Sequence, residues 1–83
     1  MNSKQRKTLA KILERPARPD IKWTDFLSLM AALGVESDHS RAGSRVGFHA
    51  NECDLVVHKP HPGKELTRPA IRGIQQFLEN AGV

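Results

Sequence analysis

The stretch SRVGFHANECDLVVH, residues 44–58, decides the fold because apolar and polar residues alternate along both of its halves. Alternation with a period of two predicts strands whose side chains point to opposite faces of a sheet, here over residues 44–49 and 54–58. Asn51-Glu52 between the two strands is typical of a two-residue hairpin turn. The stretch therefore predicts an antiparallel hairpin with one buried face and one exposed face.

The turn also predicts which residues lie opposite each other. With a two-residue turn, Ala50 pairs with Cys53, and every earlier residue of the first strand pairs with a later residue of the second. The apolar face then carries Val46, Phe48, Leu55 and Val57. The other face carries Arg45, His49, Asp54 and His58, with Val56 as one apolar residue among them.

Three further segments have the spacing of amphipathic helices: residues 3–14, 22–33 and 68–81. Asp20 is a candidate N-cap for the second helix, with Gly34 after its end, and Thr67 is a candidate N-cap for the third. Packing in the core is a better interpretation of Trp23 and Met30 than a ligand role. The residues expected to be buried are Leu9, Ile12, Leu13, Trp23, Phe26, Leu27, Met30, Leu33, Ile71, Ile74, Phe77, Leu78 and Ala81.

A weaker strand over residues 35–40, followed by a turn at Ala42-Gly43, completes the predicted order α-α-β-β-β-α. Short connections make the three strands an antiparallel meander. The prediction is an α+β fold, a three-stranded antiparallel sheet with helices packed on one face. The second face of such a sheet is open to solvent or to a ligand. With 83 residues, one domain is expected.

The charge of the chain is basic and unevenly distributed. Lys and Arg number 13 against 9 Asp and Glu, and residues 1–18 hold six basic residues but one acid. Such a segment suits nucleic acid, an anionic membrane or an acidic protein, and it is equally typical of a solvated helix face.

The cysteine and apolar content of the chain indicate the cellular compartment in which it is found. A single cysteine, Cys53, allows no disulfide within the chain, which fits a reducing compartment. No apolar run approaches the length of a membrane helix, and no signal-peptide pattern is present. The cysteine and histidine spacing does not match a zinc site. We therefore expect a cytoplasmic protein that does not associate with membranes and needs no metal ion or cofactor.

The predicted register brings Arg45 and His58 together as a candidate site for an RNA phosphate. The guanidinium would bind phosphate oxygens and the imidazole would move a proton, two roles that metal-free RNA cleavage requires. His49 opposite Asp54 forms a second candidate pair. The alternative for both pairs is an ordinary exposed cross-strand contact of little energetic weight.

The stretch HKPHPGKEL, residues 58–66, is the most distinctive of the chain. Two prolines around His61 stiffen it, and Lys64 stands shortly before the last helix. A stiff loop carrying Lys59, His61 and Lys64 beside a helix start suits a phosphate. A rigid connection that positions the last helix is the alternative interpretation.

This loop, the LENAGV end of the last helix and the GSRVGF strand at 43–48 together resemble the HicA toxin family of bacterial toxin–antitoxin systems. The resemblance covers about residues 22–83. It implies a fold like that of double-stranded RNA-binding domains, ribosome-independent cleavage of messenger RNA, and neutralisation by a HicB-type antitoxin. Residues 1–20 would then be an N-terminal helical extension and linker on a single HicA-like domain.

One residue departs from the family pattern. The family's usual catalytic histidine follows the glycine-serine pair, and this chain has Arg45 there. Arginine stays protonated at physiological pH and cannot act as a general base. His58 is the best replacement because the predicted register places it opposite Arg45. The alternatives are an RNA-binding module of the same fold that does not cleave, and a basic domain that binds a protein partner.

Overall fold

The computed structural model describes residues 1–40 and 43–83 and confirms the predicted order of helices and strands. The elements are α1 (Ser3–Leu13), α2 (Trp23–Ala32), β1 (Glu36–Asp38), β2 (Arg45–Ala50), β3 (Cys53–His58) and α3 (Arg68–Ala81). The predicted turn at Ala42-Gly43 lies partly outside the described residues. None of the helices in the described ranges is long and apolar enough to cross a membrane.

The three strands form one antiparallel sheet in the order β1-β2-β3. The predicted register of the hairpin is confirmed from the Ala50–Cys53 pair to the Arg45–His58 pair. Asn51 and Glu52 both have positive φ, 47° and 66°, as a two-residue turn of the I′ kind requires. β1 has three residues, shorter than the predicted 35–40.

The buried face of the hairpin meets α2 through an aromatic cluster. The ring centroid of Phe48 lies 5.1 Å from that of Phe26 and 6.3 Å from that of Trp23, both with edge-on geometry. Val46 and Val57 are also buried, while Leu55 is half-buried and packs against the core. Trp23 and Met30 are core residues, as predicted.

The start of α2 corrects one prediction. Its N-cap is Lys22, without a side-chain hydrogen bond, and not Asp20. Asp20 instead forms ion pairs with Arg18 at 3.1 Å and Lys11 at 3.8 Å. Asp20 and then Glu14 raise the pKa of the Arg18 guanidinium by their negative charge. By contrast, α3 is capped by the Thr67 side chain as predicted.

The first helix, α1, packs against α2 and α3 and changes which residues are buried. Thr8 is buried, whereas Leu13, predicted to be buried, is 51% exposed. In α2, Leu29 is fully buried and Leu27 only partly. The reason is that α2 contacts both α1 and the sheet, so its apolar stripe is wider than that of a helix covered on one side.

A buried amide joins α1 to α3. Gln75 of α3 is 4% exposed, and its Nε2 donates hydrogen bonds to the carbonyl oxygens of Ile12 at 2.6 Å and Glu14 at 3.1 Å. These carbonyls belong to the end of α1, where helix carbonyls lack partners within the helix. Gln75 therefore satisfies the C-terminal end of α1 from another element of the fold.

Candidate nucleic-acid interface

The face of the sheet away from the helices carries two pairs of polar residues. Arg45 lies opposite His58, and His49 lies opposite Asp54. All four side chains are exposed. Gly47 opposite Val56 separates the pairs, so they stand four residues apart along the strands, roughly 14 Å at strand spacing. The open face of the sheet thus carries two separate polar pairs.

The backbone hydrogen bonds bring the side chains of each pair close. The amide of Lys59 donates to the carbonyl of Ser44 at 2.7 Å, which continues the ladder beyond the Arg45–His58 pair. Because such bonds join every second pair of an antiparallel ladder, Arg45–His58 and His49–Asp54 are non-hydrogen-bonded pairs. Side chains in such pairs approach more closely than in hydrogen-bonded pairs.

Ser44 joins the Arg45–His58 site, which sequence reasoning missed. Its Oγ lies 3.4 Å from Nδ1 of His58. The signal was present in the predicted register, since one further step of the ladder pairs Ser44 with Lys59. A serine hydroxyl therefore accompanies the arginine and the histidine at this end of the hairpin.

The His49 end of the face is acidic. Nδ1 of His49 lies 2.8 Å from Oδ1 of Asp54, and Glu36 of β1 is the cross-strand neighbour of His49 on its other side. A shallow depression of about 170 Å³ there is lined in part by Glu36, Asp38 and Asp54. The carboxylates of Asp54 and Glu36 on either side of His49 repel an anion, so this end of the face is less favourable for phosphate than the Arg45 end.

The loop after β3 is a tight turn. The amide of Lys64 donates to the carbonyl of His61 at 2.9 Å, and Gly63 has a φ of 82°. Proline followed by a residue with positive φ is typical of a type II turn. The turn holds His61 and Lys64 at the two ends of a short connection.

The loop faces the start of α2, a contact that sequence reasoning did not predict. Lys22 and Glu65 form an isolated bridge, and the amide of Leu66 donates to the carbonyl of Ile21 at 3.0 Å. A groove of about 460 Å³ results, lined by Lys22, Trp23, Thr24 and residues 59–65. Sequence reasoning associated this loop with the start of α3, which it also borders near Thr67.

The cations of the groove are available to a ligand. In residues 1–40 and 43–83, no carboxylate lies within ion-pair distance of Lys22, Lys59 or Lys64. Lys59 follows His58 in the chain, so by strand alternation its side chain points to the other face of the sheet, where it lines the groove. In the same ranges no three histidine, cysteine or acidic residues come together as a metal site.

Comparison with known proteins supports the resemblance noted from the sequence. Residues 23–83 match a family described as HicA toxin of bacterial toxin–antitoxin. The match begins at the first residue of α2 and leaves α1 outside. Neither the curated proteins nor the solved structures contain a significant match, so the predicted likeness to double-stranded RNA-binding domains stays a prediction.

Proposed function

The chain belongs to the HicA toxin family of bacterial toxin–antitoxin systems, and on this premise we propose that it binds and cleaves messenger RNA. Membership of the family makes it a toxin with an antitoxin partner. We propose further that the partner is of the HicB type and that the toxin acts in the cytoplasm, where messenger RNA is found.

The Arg45–His58 pair on the open face of the sheet is the observation that carries the proposal. In metal-free cleavage the 2′-hydroxyl oxygen attacks the adjacent phosphorus and the bond from phosphorus to the 5′-oxygen breaks. This needs a base to take the hydroxyl proton, an acid to protonate the leaving oxygen, and a cation for the charge that develops on phosphate. Arg45 supplies the cation and a planar fork for phosphate oxygens. His58 takes part in proton transfer, the role that imidazole side chains most often take in acid–base catalysis.

Charge favours His58 over His49 as the residue that meets the phosphate. His49 lies between Asp54 and Glu36, and these carboxylates oppose the approach of an anion. His58 has Arg45 opposite it and Lys59 after it. The pair of His49 and Asp54 remains the rival candidate for catalysis, because a carboxylate that orients an imidazole is a common arrangement for a general base.

The groove beside the loop extends the RNA site. Lys59, His61 and Lys64 contact phosphates there, together with Lys22 at the start of α2. Amides at a helix start add a partial positive charge that favours phosphate. Phosphate contacts of this kind position RNA without reading its sequence.

The test is cleavage of RNA by purified protein, measured beside binding in a mobility-shift assay. We expect His58→Ala to abolish cleavage and growth arrest while the protein stays folded, because His58 is exposed. His49→Ala is the matched control and should retain cleavage, whereas His61→Ala should weaken RNA binding without removing the catalytic pair. Wild-type rates in the His58 variant would overturn its role, and loss of cleavage in His49→Ala alone would assign catalysis to the rival pair.

Arg45→His distinguishes a ribonuclease from a protein that binds RNA without cleaving it. If the wild type binds RNA and never cleaves it, the chain is an RNA-binding module, and Arg45 serves as a phosphate ligand. Arg45→His would then introduce the residue that the family pattern has at this position. Gain of cleavage in that variant would identify Arg45 as the reason for an inactive wild type.

A further inference from the structure

At the edge of the sheet formed by β3, some backbone amides and carbonyls point away from β2 and do not pair with it. In the described ranges β3 pairs with β2 only. Because Lys59 donates to Ser44 and the ladder repeats every two residues, the amides and carbonyls of Cys53, Leu55 and Val57 point toward β2. Those of Asp54, Val56 and His58 point outward. A six-residue strand with such an edge is a template for pairing with another strand.

The side chains along this edge are complementary to themselves. Asp54, Val56 and His58 lie on one face at alternate positions, with the acid at one end and the imidazole at the other. In an antiparallel pair of two β3 strands centred on Val56, Val56 meets Val56 of the second copy, and each Asp54 meets a His58. Opposite charges stabilise a cross-strand pair, whereas like charges destabilise it.

Other two-fold registers are worse. Centring on Asp54 places two carboxylates opposite each other, and centring on His58 places two imidazoles opposite each other. Centring on Leu55 or Val57 sets a polar side chain against Val56 and leaves an apolar–polar mismatch. Only the register centred on Val56 matches apolar with apolar and acid with base.

We propose that β3 pairs with β3 of a second copy of this chain, antiparallel and centred on Val56, to form a symmetric dimer with a continuous sheet. Each outward-facing residue exchanges both of its backbone hydrogen bonds with the second copy. The pairing covers Val56, which is 43% exposed in the single chain. An isologous contact of this kind closes on itself and does not propagate.

The dimer would alter the surroundings of His58. Each His58 would have Arg45 on one side and Asp54 of the second copy on the other. Asp54 already bonds His49 at 2.8 Å within its own chain, so it would stand between two imidazoles. The inference itself does not depend on RNA cleavage, because it rests on the backbone edge and is tested without RNA.

The first experiment measures molecular mass by sedimentation equilibrium from low micromolar to millimolar concentration. We expect the mass to rise from one chain to two. Hydrogen exchange in the same samples should slow at the amides of Asp54, Val56 and His58 as concentration rises. The amides of Leu55 and Val57, already bonded to β2, are the internal control. A single-chain mass at every concentration would overturn the dimer.

Val56→Pro tests the contribution of the backbone edge of β3 to dimer formation. The Val56 amide points outward, so proline removes no hydrogen bond within the chain, and edge strands tolerate it there. We expect Val56→Pro to be monomeric at concentrations where the wild type is dimeric. Val56→Thr, which retains the amide and the branched shape, should still dimerise. A dimer that survives Val56→Pro would contradict pairing through this edge.

A charge exchange tests the register even if the proline variant does not fold. Asp54→Lys sets a cation against His58 of the second copy and should weaken the dimer. Adding His58→Asp restores opposite charges and should recover dimerisation. Failure of the double variant to recover would rule out the register centred on Val56. Protection of the edge amides only with antitoxin present would overturn self-pairing and assign the edge to the antitoxin.

Discussion

The two faces of the β2–β3 hairpin are made from the same two strands and serve different purposes. Val46, Phe48 and Val57 on one face are buried against the helices. The other face carries exposed ionisable side chains at its two ends. Hydrophobic burial holds the hairpin through the first face, and the second face is left to vary in charge at little cost in stability. A substitution on one face should therefore change folding, and one on the other should change function.

The largest effect is expected at the centre of the buried face. Phe48→Ala removes a fully buried ring that contacts Phe26 and Trp23, and should lower the free energy of unfolding by about 3–5 kcal/mol. Urea denaturation followed by tryptophan fluorescence measures the loss. Val56→Ala on the open face is the control, with an expected change below about 0.5 kcal/mol. Equal losses of unfolding free energy in the two variants would contradict the view that only one face of the hairpin stabilises the fold.

A substitution in the turn that joins the strands should raise the free energy of unfolding. Glu52 has a φ of 66°, a conformation that disfavours residues with a side chain. Glu52→Gly should raise the free energy of unfolding by about 1 kcal/mol, because Asn-Gly suits a type I′ turn. Thermal unfolding measures the gain. A lower melting temperature would mean that the backbone freedom gained by the unfolded chain outweighs the relief.

The His49–Asp54 pair is expected to contribute less to the free energy of unfolding. Both side chains are more than half exposed, so water screens their attraction. A double-mutant cycle with His49→Ala and Asp54→Asn should give a coupling below about 1 kcal/mol, decreasing with added salt. A coupling several times larger would show that the open face also holds the fold together.

No effect on stability is expected for Lys59 and Lys64, although RNA binding should change. Replacing both with Ala should reduce the slope of log affinity against log salt by roughly 1.4 to 1.8. Arg6→Ala with Lys7→Ala on α1 removes the same charge from exposed residues that do not line the groove, and should leave the slope nearly unchanged. A comparable reduction from the α1 variant would show that the RNA-binding surface includes α1.

The hairpin was predictable because its determinants are local. The alternation of Val46 and Phe48 with polar residues, together with a two-residue turn, specifies both register and faces. The cap of α3 was predictable for the same reason, since Thr67 bonds an amide three residues away. In these regions the pattern of neighbouring residues is sufficient.

The start of α2 and the groove were not predictable because their determinants are distant in sequence. Asp20 has the chemistry of an N-cap, but Arg18 and Lys11 hold its carboxylate elsewhere. The bridge between Lys22 and Glu65 brings together segments more than forty residues apart in the chain. No pattern of neighbouring residues predicts this contact. The catalytic roles assigned to Arg45, His49 and His58 stay predictions.

The side chain of Gln75 links the stability of α3 to the presence of α1. Its amide is bonded to the end of α1, and Ile12 of α1 lies in the same core as α3. A chain trimmed to the family segment would leave that amide without its acceptors and expose apolar surface of α2 and α3 to water. Such a fragment would be prone to degradation. We therefore expect removal of α1, which lies outside the matched family segment, to lower the amount of folded protein.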